Sequence, residues 1–483
     1  MEDNNDFPLK IVGKIDLDQI SGKRIPIIEK NKLFRIISMK VSFWNQSPIE
    51  IKFDVNNEEL AEGDRFFSLL IGSNGVGKSS LLREVIDMLV YARNGEENTK
   101  NKQIEIQWLK YSLGGHEFLI ERAQNEFKYY CNGNYTKGEE MSYPLIIAST
   151  MGMFDKFPYR KPNGPYDTPM YSYVGPRASS NIIATKTYLM MQMLANLNNV
   201  KLKRQLTKIA EVLRFIGYDT TIVLRFKVKD SNDSKAEANK QKLSKKCKQY
   251  LALIDNQVER AVDLNFADTT LQYAKGLHLA EINELRQAKL LSWQRCYLYR
   301  DGKEIECNKL SSGEFNMLSI VMSVVLAADN NHVLVLLDEP EISQHPNWQI
   351  DIISNLDKAL EGYNCHFMIA THCHFLVSNL PTGRSNVIDI VKDTQRIVEI
   401  LPLKANTYGW SAEEVLLRAF KMTTDRNRYL AEVVGGLLNK IAKNEIAIAT
   451  VQAELQFLKK VSANLRDIDP MKKIINTIVN EFE

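Results

Sequence analysis

Residues 66–79 constrain this chain more than any other stretch. Phe66-Phe67-Ser68-Leu69-Leu70-Ile71 is a short, largely apolar run, as expected of a strand buried on both faces. It runs directly into Gly72-Ser73-Asn74-Gly75-Val76-Gly77-Lys78-Ser79, which fits GxxxxGK[ST] without a mismatch. Residues 79–92, SSLLREVIDMLVYA, then place apolar residues at helical spacing. Strand, glycine-rich turn and helix in that order make a phosphate cradle. Glycines let backbone N–H groups turn inward, and the helix start adds its positive end. Lys78 is read as neutralising the β- and γ-phosphates, Ser79 as a magnesium ligand, and Ser80 as a further nucleotide contact.

A second element supports the first. His332-Val333-Leu334-Val335-Leu336-Leu337-Asp338-Glu339-Pro340 is an apolar strand ending in two acids, at the edge where α/β sheets bind ligands. Asp338 is assigned to the magnesium shell and Glu339 to polarising an attacking water. Leu310-Ser311-Ser312-Gly313-Glu314 precedes this strand by an interval that fits one helix and a turn. Ser311, Ser312, Gly313 and Glu314 open that helix, so their hydroxyl and N–H groups can face a phosphate across a subunit boundary. As an isolated sequence, SSGE reads better as a simple helix cap. Ile369-Ala370-Thr371-His372 closes another apolar run and puts His372 within reach of the γ-phosphate or the attacking water.

The rest of the chain reads coarsely. Residues 1–30 form an irregular lead-in, and 32–55 two antiparallel strands. Two or three more strands follow up to about residue 150, and 151–180 is an ordered loop rich in Pro, Gly and aromatics. Within it, Tyr171-Ser172-Tyr173-Val174-Gly175-Pro176-Arg177 is an aromatic loop, a subunit contact or a packed surface. Residues 183–215 and 233–290 look helical and heavily charged. Their basic clusters are Lys201, Lys203, Arg204 and Lys208, then Lys240, Lys242, Lys245, Lys246 and Lys248. Glu237, Asp255 and Glu259 interleave with these, as on a solvated face. Residues 294–308 form a hairpin turning at Asp301-Gly302. Helix and strand alternate over 310–390, and 411–483 is mainly helical, with a capping box at Ser411 and Glu414 and a break at Pro470. Asp467-Ile468-Asp469 reads as a capping acid pair rather than a nuclease site.

The formal charge of +3 favours no partner class. Six cysteines without CxxC or zinc spacing read as reduced thiols. There is neither a signal-peptide pattern nor an apolar run of membrane-spanning length, so the expectation is a cytoplasmic protein without a membrane domain.

The order GSNGVGKSS, LSSGE, LLDEPEISQHP, ATHCHF resembles the ABC ATPase head shared by RecF, SMC and OLD proteins, over 32–150 and 294–390. Its last two motifs also resemble the stand-alone ATPases of bacterial defence islands, among them PtuA of Septu and certain retron systems and AriA of PARIS. Many of those have Ser at the position of Cys373. The resemblance implies an α/β fold, an ABC-type P-loop head with a helical insertion and a helical C-terminal region. The expected division is 1–182 and 294–404 for the head, 183–293 for the insertion and 405–483 for the C-terminal interaction region. It implies ATP and Mg²⁺ as cofactors, Leu310–Glu314 as the signature, Glu341–Pro346 as the D-loop region and His372 as the switch histidine. It further implies a homo-oligomer, a head dimer or a ring of dimers, in which Lys78 of one subunit faces Ser312 of another. A nuclease or toxin effector is the implied partner, with DNA or a phage protein as trigger; a RecF-like DNA-repair role is the alternative. A Q-loop glutamine is not evident: Gln103 and Gln107 lie in a plausible region, and 146–157 has none.

Overall fold

The computed structural model describes residues 34–482, except for 54–64, 96–102, 160–163, 176–185, 191–202, 229–239, 254–259, 268–283, 393–397, 419–427, 443–447, 466–469 and scattered positions between. Residues 1–30, Arg177, Lys201, Lys242, Glu237, Asp255, Glu259 and Asp467–Asp469 lie outside the described residues.

In chain order, the elements of the first part are β1 (Arg35–Phe43), β2 (Ile49–Lys52), β3 (Arg65–Ile71), α1 (Lys78–Asn94), β4 (Ile104–Leu113), β5 (His116–Ala123), β6 (Glu126–Cys131), β7 (Asn134–Thr136), β8 (Leu145–Thr150) and β9 (Tyr171–Val174). The middle holds α2 (Lys203–Phe215), β10 (Thr221–Val228), α3 (Lys245–Leu253) and β11 (Arg260–Asn265). Next come β12 (Leu291–Arg300), β13 (Lys303–Glu306), α4 (Ser312–Ala327), β14 (Val333–Asp338), α5 (Pro346–Ala359), β15 (Cys365–Ala370), α6 (His374–Ser378), β16 (Ser385–Lys392) and β17 (Val398–Leu403). The chain finishes with α7 (Ala412–Arg418), α8 (Arg428–Ala442), α9 (Ile448–Asn464) and α10 (Pro470–Phe482).

A seven-stranded sheet in the order β17-β16-β3-β15-β14-β8-β9 forms the centre, parallel throughout except at β17. Every residue of β3, β14 and β15 is buried, which explains why their sequences are unbroken apolar runs. Alternate side chains go to opposite faces. Leu69, Ile71, Val335, Leu337, Phe367 and Ile369 join one core with α2, α4 and α5. Leu70, Leu334, Leu336, Met368 and Ala370 join the other with α1 and an antiparallel sheet ordered β2-β1-β4-β5-β6-β7. From Phe315 to Leu326, α4 is buried all round, which matches its apolar sequence. The last helices build a separate core from Leu430, Val434, Leu458, Ile475 and Ile478.

One buried side chain ties the antiparallel sheet to the central one. His366 of β15 is fully buried and ringed by Phe34, Phe53 and Phe66. The Ile36 N–H donates to its Nδ1 at 2.9 Å, so Nε2 carries the hydrogen and donates to Ser68 Oγ, also at 2.9 Å.

Several expectations change. Five strands, not two or three, occupy 104–150. Tyr171–Val174 is not a loop: it is β9, paired in parallel with β8, with Tyr171 buried and its hydroxyl donating to Pro158 O at 2.7 Å. Residues 260–265 are a strand rather than helix. β11 pairs with β10, and β10 with β12, in a four-stranded sheet ordered β11-β10-β12-β13. The insertion is therefore helical with two strands of its own. Val262 and Leu264 alternate with Ala261, Asp263 and Asn265, a period of two that the surrounding charge obscures. The 294–308 hairpin turns at Asp301 (φ 52°) and Gly302 (φ 72°), both left-handed, as a two-residue turn between twisted strands requires. No helix among the described residues is long and apolar enough to cross a membrane.

Burial, followed by the charge of Arg35, holds the His366 pKa well below its ordinary 6.5. Above pH 6.5 the ring is neutral in both folded and unfolded chains. Below it, only the unfolded chain takes up the proton, so stability falls as pH falls. The expected loss is about 1.4 kcal/mol per pH unit below that point. Denaturant unfolding at pH 7.5, 6.5 and 5.5 should show a shallower decline in a His366→Gln variant than in the wild type.

Candidate active site

Strand register assembles the site. Leu70, Ala370, Asp338 and Thr150 lie side by side across β3, β15, β14 and β8. The segments that follow them all emerge at the same carboxyl edge, where open α/β sheets bind ligands. After β3 comes the phosphate loop, with Ser73, Asn74 and Gly75 exposed at its crest and Val76 and Lys78 buried at its base. Gly72 (φ 141°), Gly75 (φ 78°) and Gly77 (φ 102°) are all left-handed. Gly72 also admits no side chain: a Cβ there would lie 2.3 Å from the Ile390 carbonyl oxygen. Gly77 caps α1, and Ser79 and Ser80 occupy its half-buried first turn.

Lys78 Nζ donates to Gly72 O at 2.9 Å, Ser73 O at 3.1 Å and His372 Nε2 at 2.8 Å. An ammonium has no lone pair, so Nε2 must accept, and the imidazole is neutral with its hydrogen on Nδ1. Burial and then the Lys78 charge both lower the His372 pKa, against the pull of Glu339. Burial lowers the Lys78 pKa to about 8, with Glu339 and Asp338 opposing. A polyanion entering the loop would strengthen that opposition. Glu339 Oε1 stands 3.4 Å from His372 Nε2. Glu339 itself sits at φ 49°, a conformation that costs a non-glycine residue about 1–3 kcal/mol and is typical of functional positions. Its N–H is held by Ala370 O at 2.8 Å.

The Ser79 hydroxyl donates to Asp338 Oδ1 at 2.8 Å. Adjacent hydroxyl and carboxylate oxygens suit a hard divalent cation. Among the described residues no group of three or more His, Cys, Asp or Glu could hold a metal. A cation here would therefore draw its remaining ligands from phosphate and water.

The signature residues form their own unit. Ser311 caps α4: its hydroxyl accepts the Glu314 N–H at 3.2 Å, and Glu314 Oε2 accepts the Ser311 N–H at 2.9 Å. Glu314 is also bound by Arg300 at 2.7 Å, and Lys186 Nζ donates to Leu310 O. Ser312 and Gly313 form the first turn of α4. The capping box fixes the helix start, with Ser312 half-buried and Gly313 buried. The two glutamines considered for a Q-loop are engaged elsewhere or exposed: Gln107 donates to Ser42 Oγ at 3.2 Å, and Gln103 is exposed. The residue beside Asp338 on β8 is Thr150. Of the D-loop region, residues 343–345 lie outside the described residues. On α3, Lys245, Lys246 and Lys248 are exposed.

Two residues at the site escaped sequence reasoning, Trp44 and Asn316, and a third, Glu341, enters it only as part of the D-loop region. Trp44, at φ 45°, lies against the phosphate loop: its Cη2 is 3.4 Å from where a Gly77 Cβ would be, and Lys392 Nζ sits 4.1 Å from its ring centre. Asn316 of α4 donates to the Pro340 carbonyl at 2.9 Å, linking the signature helix to the acidic turn. Glu341 accepts hydrogen bonds from Thr371 and His372. The third acid of DEPE was a signal for Glu341; for the other two only tertiary packing was.

A family profile described as an AAA ATPase domain matches residues 176–377, which span the signature, the acids and His372. The "Retron Vc95 probable ATPase" of Vibrio cholerae serotype O1 biovar El Tor is 22% identical over 456 residues, covering 86% of each chain. Among solved structures, the SMC head domain from Thermotoga maritima aligns at TM-score 0.35 and 11% identity, covering 77% of this chain and all of that one. An SmcHead bound to the C-winged helix domain of ScpA aligns at TM-score 0.35 and 10% identity, covering 76% of this chain and 98% of that one. Motif order and sheet topology describe an α/β P-loop head, and residues 176–377 are similar to the AAA ATPase domain.

The edge of Trp44 lies beside the loop and Lys392 sits over its ring, so a nucleobase stacked on the ring would use the face opposite Lys392 and gain about 1–3 kcal/mol. Trp44→Ala is expected to weaken nucleotide binding by roughly 5–100-fold, measured by titration calorimetry. Gly72→Ala is expected to abolish binding and to lower the melting temperature as well.

Proposed function

We propose that this chain binds ATP with Mg²⁺ and hydrolyses it as the ATPase subunit of a bacterial anti-phage defence complex. ATP-dependent association of two heads would control a nuclease or toxin effector. The observation that carries the ATPase reading is the contact of Lys78 with His372, beside Glu339 and next to the Ser79–Asp338 pair. The resemblance to defence ATPases and the retron relative support the cellular role.

The chemistry follows from what each side chain can hold. Backbone N–H groups of the loop and the start of α1 donate to the phosphates, and Lys78 exchanges its carbonyl partners for phosphate oxygens while keeping its contact with His372 Nε2. Ser79 and Asp338 would hold Mg²⁺, whose charge would offset that of the triphosphate. Glu339 orients a water in line with the γ-phosphorus and accepts its proton as the water oxygen bonds to phosphorus and the bridging oxygen leaves with ADP. Neutral His372 offers Nδ1–H to an anionic phosphoryl oxygen and Nε2 to Lys78. Ser312 and Gly313 of a second copy close the γ-phosphate side, with the positive end of its α4 facing the charge.

A Glu339→Gln variant should still bind ATP but hydrolyse it about 10²–10⁴-fold more slowly. It should also accumulate as associated heads in light scattering with ATP, whereas Lys78→Ala should not associate. Wild-type turnover by Glu339→Gln would overturn the assignment of Glu339. ATP-dependent binding to duplex DNA without any partner would favour a RecF-like role over control of an effector.

A further inference from the structure

Thr371, His372 and Cys373 link β15 to α6 in three residues. Backbone preference alone does not decide where an imidazole on so short a link will point. Here the link hangs on the segment that follows the two acids. Glu341 Oε1 accepts the Thr371 hydroxyl at 2.6 Å and the His372 N–H at 3.0 Å. The Thr371 hydroxyl accepts the Cys373 N–H at 2.9 Å, so one carboxylate oxygen organises all three residues. Glu341 is held in turn: Gln349 of α5 donates to its carbonyl at 3.3 Å, and the neighbouring Pro340 carbonyl takes the bond from Asn316.

This arrangement is expensive. Glu341 is only 9% exposed, and its Oε2 is buried without a hydrogen-bond partner among the described residues. A carboxylate in such a place costs more stability than an apolar side chain of the same size. The same carboxylate binds the His372 N–H.

We propose that Glu341 is a positioning residue. It holds the Thr371 hydroxyl and the His372 N–H so that the imidazole stands between Lys78 and Glu339. This rests on the ATPase reading above. Glu341 acts through its hydrogen bonds, so an amide oxygen can replace the carboxylate. The side-chain hydrogen bonds of Glu341 go to Thr371 and His372 rather than to the phosphate loop or the Ser79–Asp338 pair, so nucleotide binding should survive its loss.

The test uses the full chain as wild type, Glu341→Ala, Glu341→Gln, Thr371→Val, His372→Ala and the Glu341→Ala/His372→Ala double variant. Hydrogen exchange of the peptide spanning 366–376 is read alongside kcat, KM, ATP affinity and thermal melting. Glu341→Ala should speed exchange at 371–373 and lower kcat about 10–100-fold, as misplacing a catalytic group by about 1 Å does. ATP affinity should change by less than about threefold. Thr371→Val should shift both readouts the same way by less, and Glu341→Gln should stay near wild type. Adding Glu341→Ala to His372→Ala should cost less than a further threefold or so, because the two act as a unit.

Unchanged exchange in Glu341→Ala overturns the proposal whatever the ATPase result. So do multiplicative losses in the double variant, Glu341→Gln behaving like Glu341→Ala, or ATP affinity falling in step with kcat. If the wild type hydrolyses no ATP while exchange responds as expected, the ATPase reading fails and the positioning role stands.

Discussion

Everything at the site depends on one row of parallel register. Leu70, Ala370, Asp338 and Thr150 are neighbours because β3, β15, β14 and β8 are buried on both faces and cannot slip by a residue without turning their apolar sets over. The segments emerging after that row come from sequence positions some 300 residues apart, yet they meet within hydrogen-bond distance. The core thus provides more than stability: it sets the coordinates of the chemistry. His366 adds a second constraint, since its two ring nitrogens fix β1 and β3 relative to β15 from the face opposite α4.

The catalytic edge stands out against the well-satisfied sheet beneath it. Glu339 is left-handed, Glu341 has an oxygen without a hydrogen-bond partner among the described residues, and the Lys78 ammonium leans on carbonyls and a neutral imidazole. Each feature is unfavourable in isolation, and together they describe a site arranged for a highly charged ligand. Local cost at such positions is tolerated because the surrounding strands over-determine the backbone.

What the sequence made legible was what is local. The glycine-rich loop, the two acids and His372 each follow an apolar run, so strand, turn and chemistry are contiguous in the chain. The Asp301-Gly302 turn and the Ser311/Glu314 cap were legible for the same reason. The other site residues were hidden because they act at a distance in sequence. Trp44 reaches Gly77 only because β1 and β4 meet beside the loop, and Asn316 reaches Pro340 only because α4 packs under β14. β11 was misread because helix-forming charged residues surround a six-residue alternation, and β9 because aromatics beside Pro and Gly look like a loop until β8 pairs with them.

The small sheet β11-β10-β12-β13 joins two regions that the sequence separates. β10 and β11 belong to the insertion; β12 and β13 are the hairpin leading into Leu310 and the cap of α4. Hydrogen bonding is continuous from β11 through β10 and β12 to β13, so these strands and the hairpin that leads into the cap of α4 are parts of one ladder.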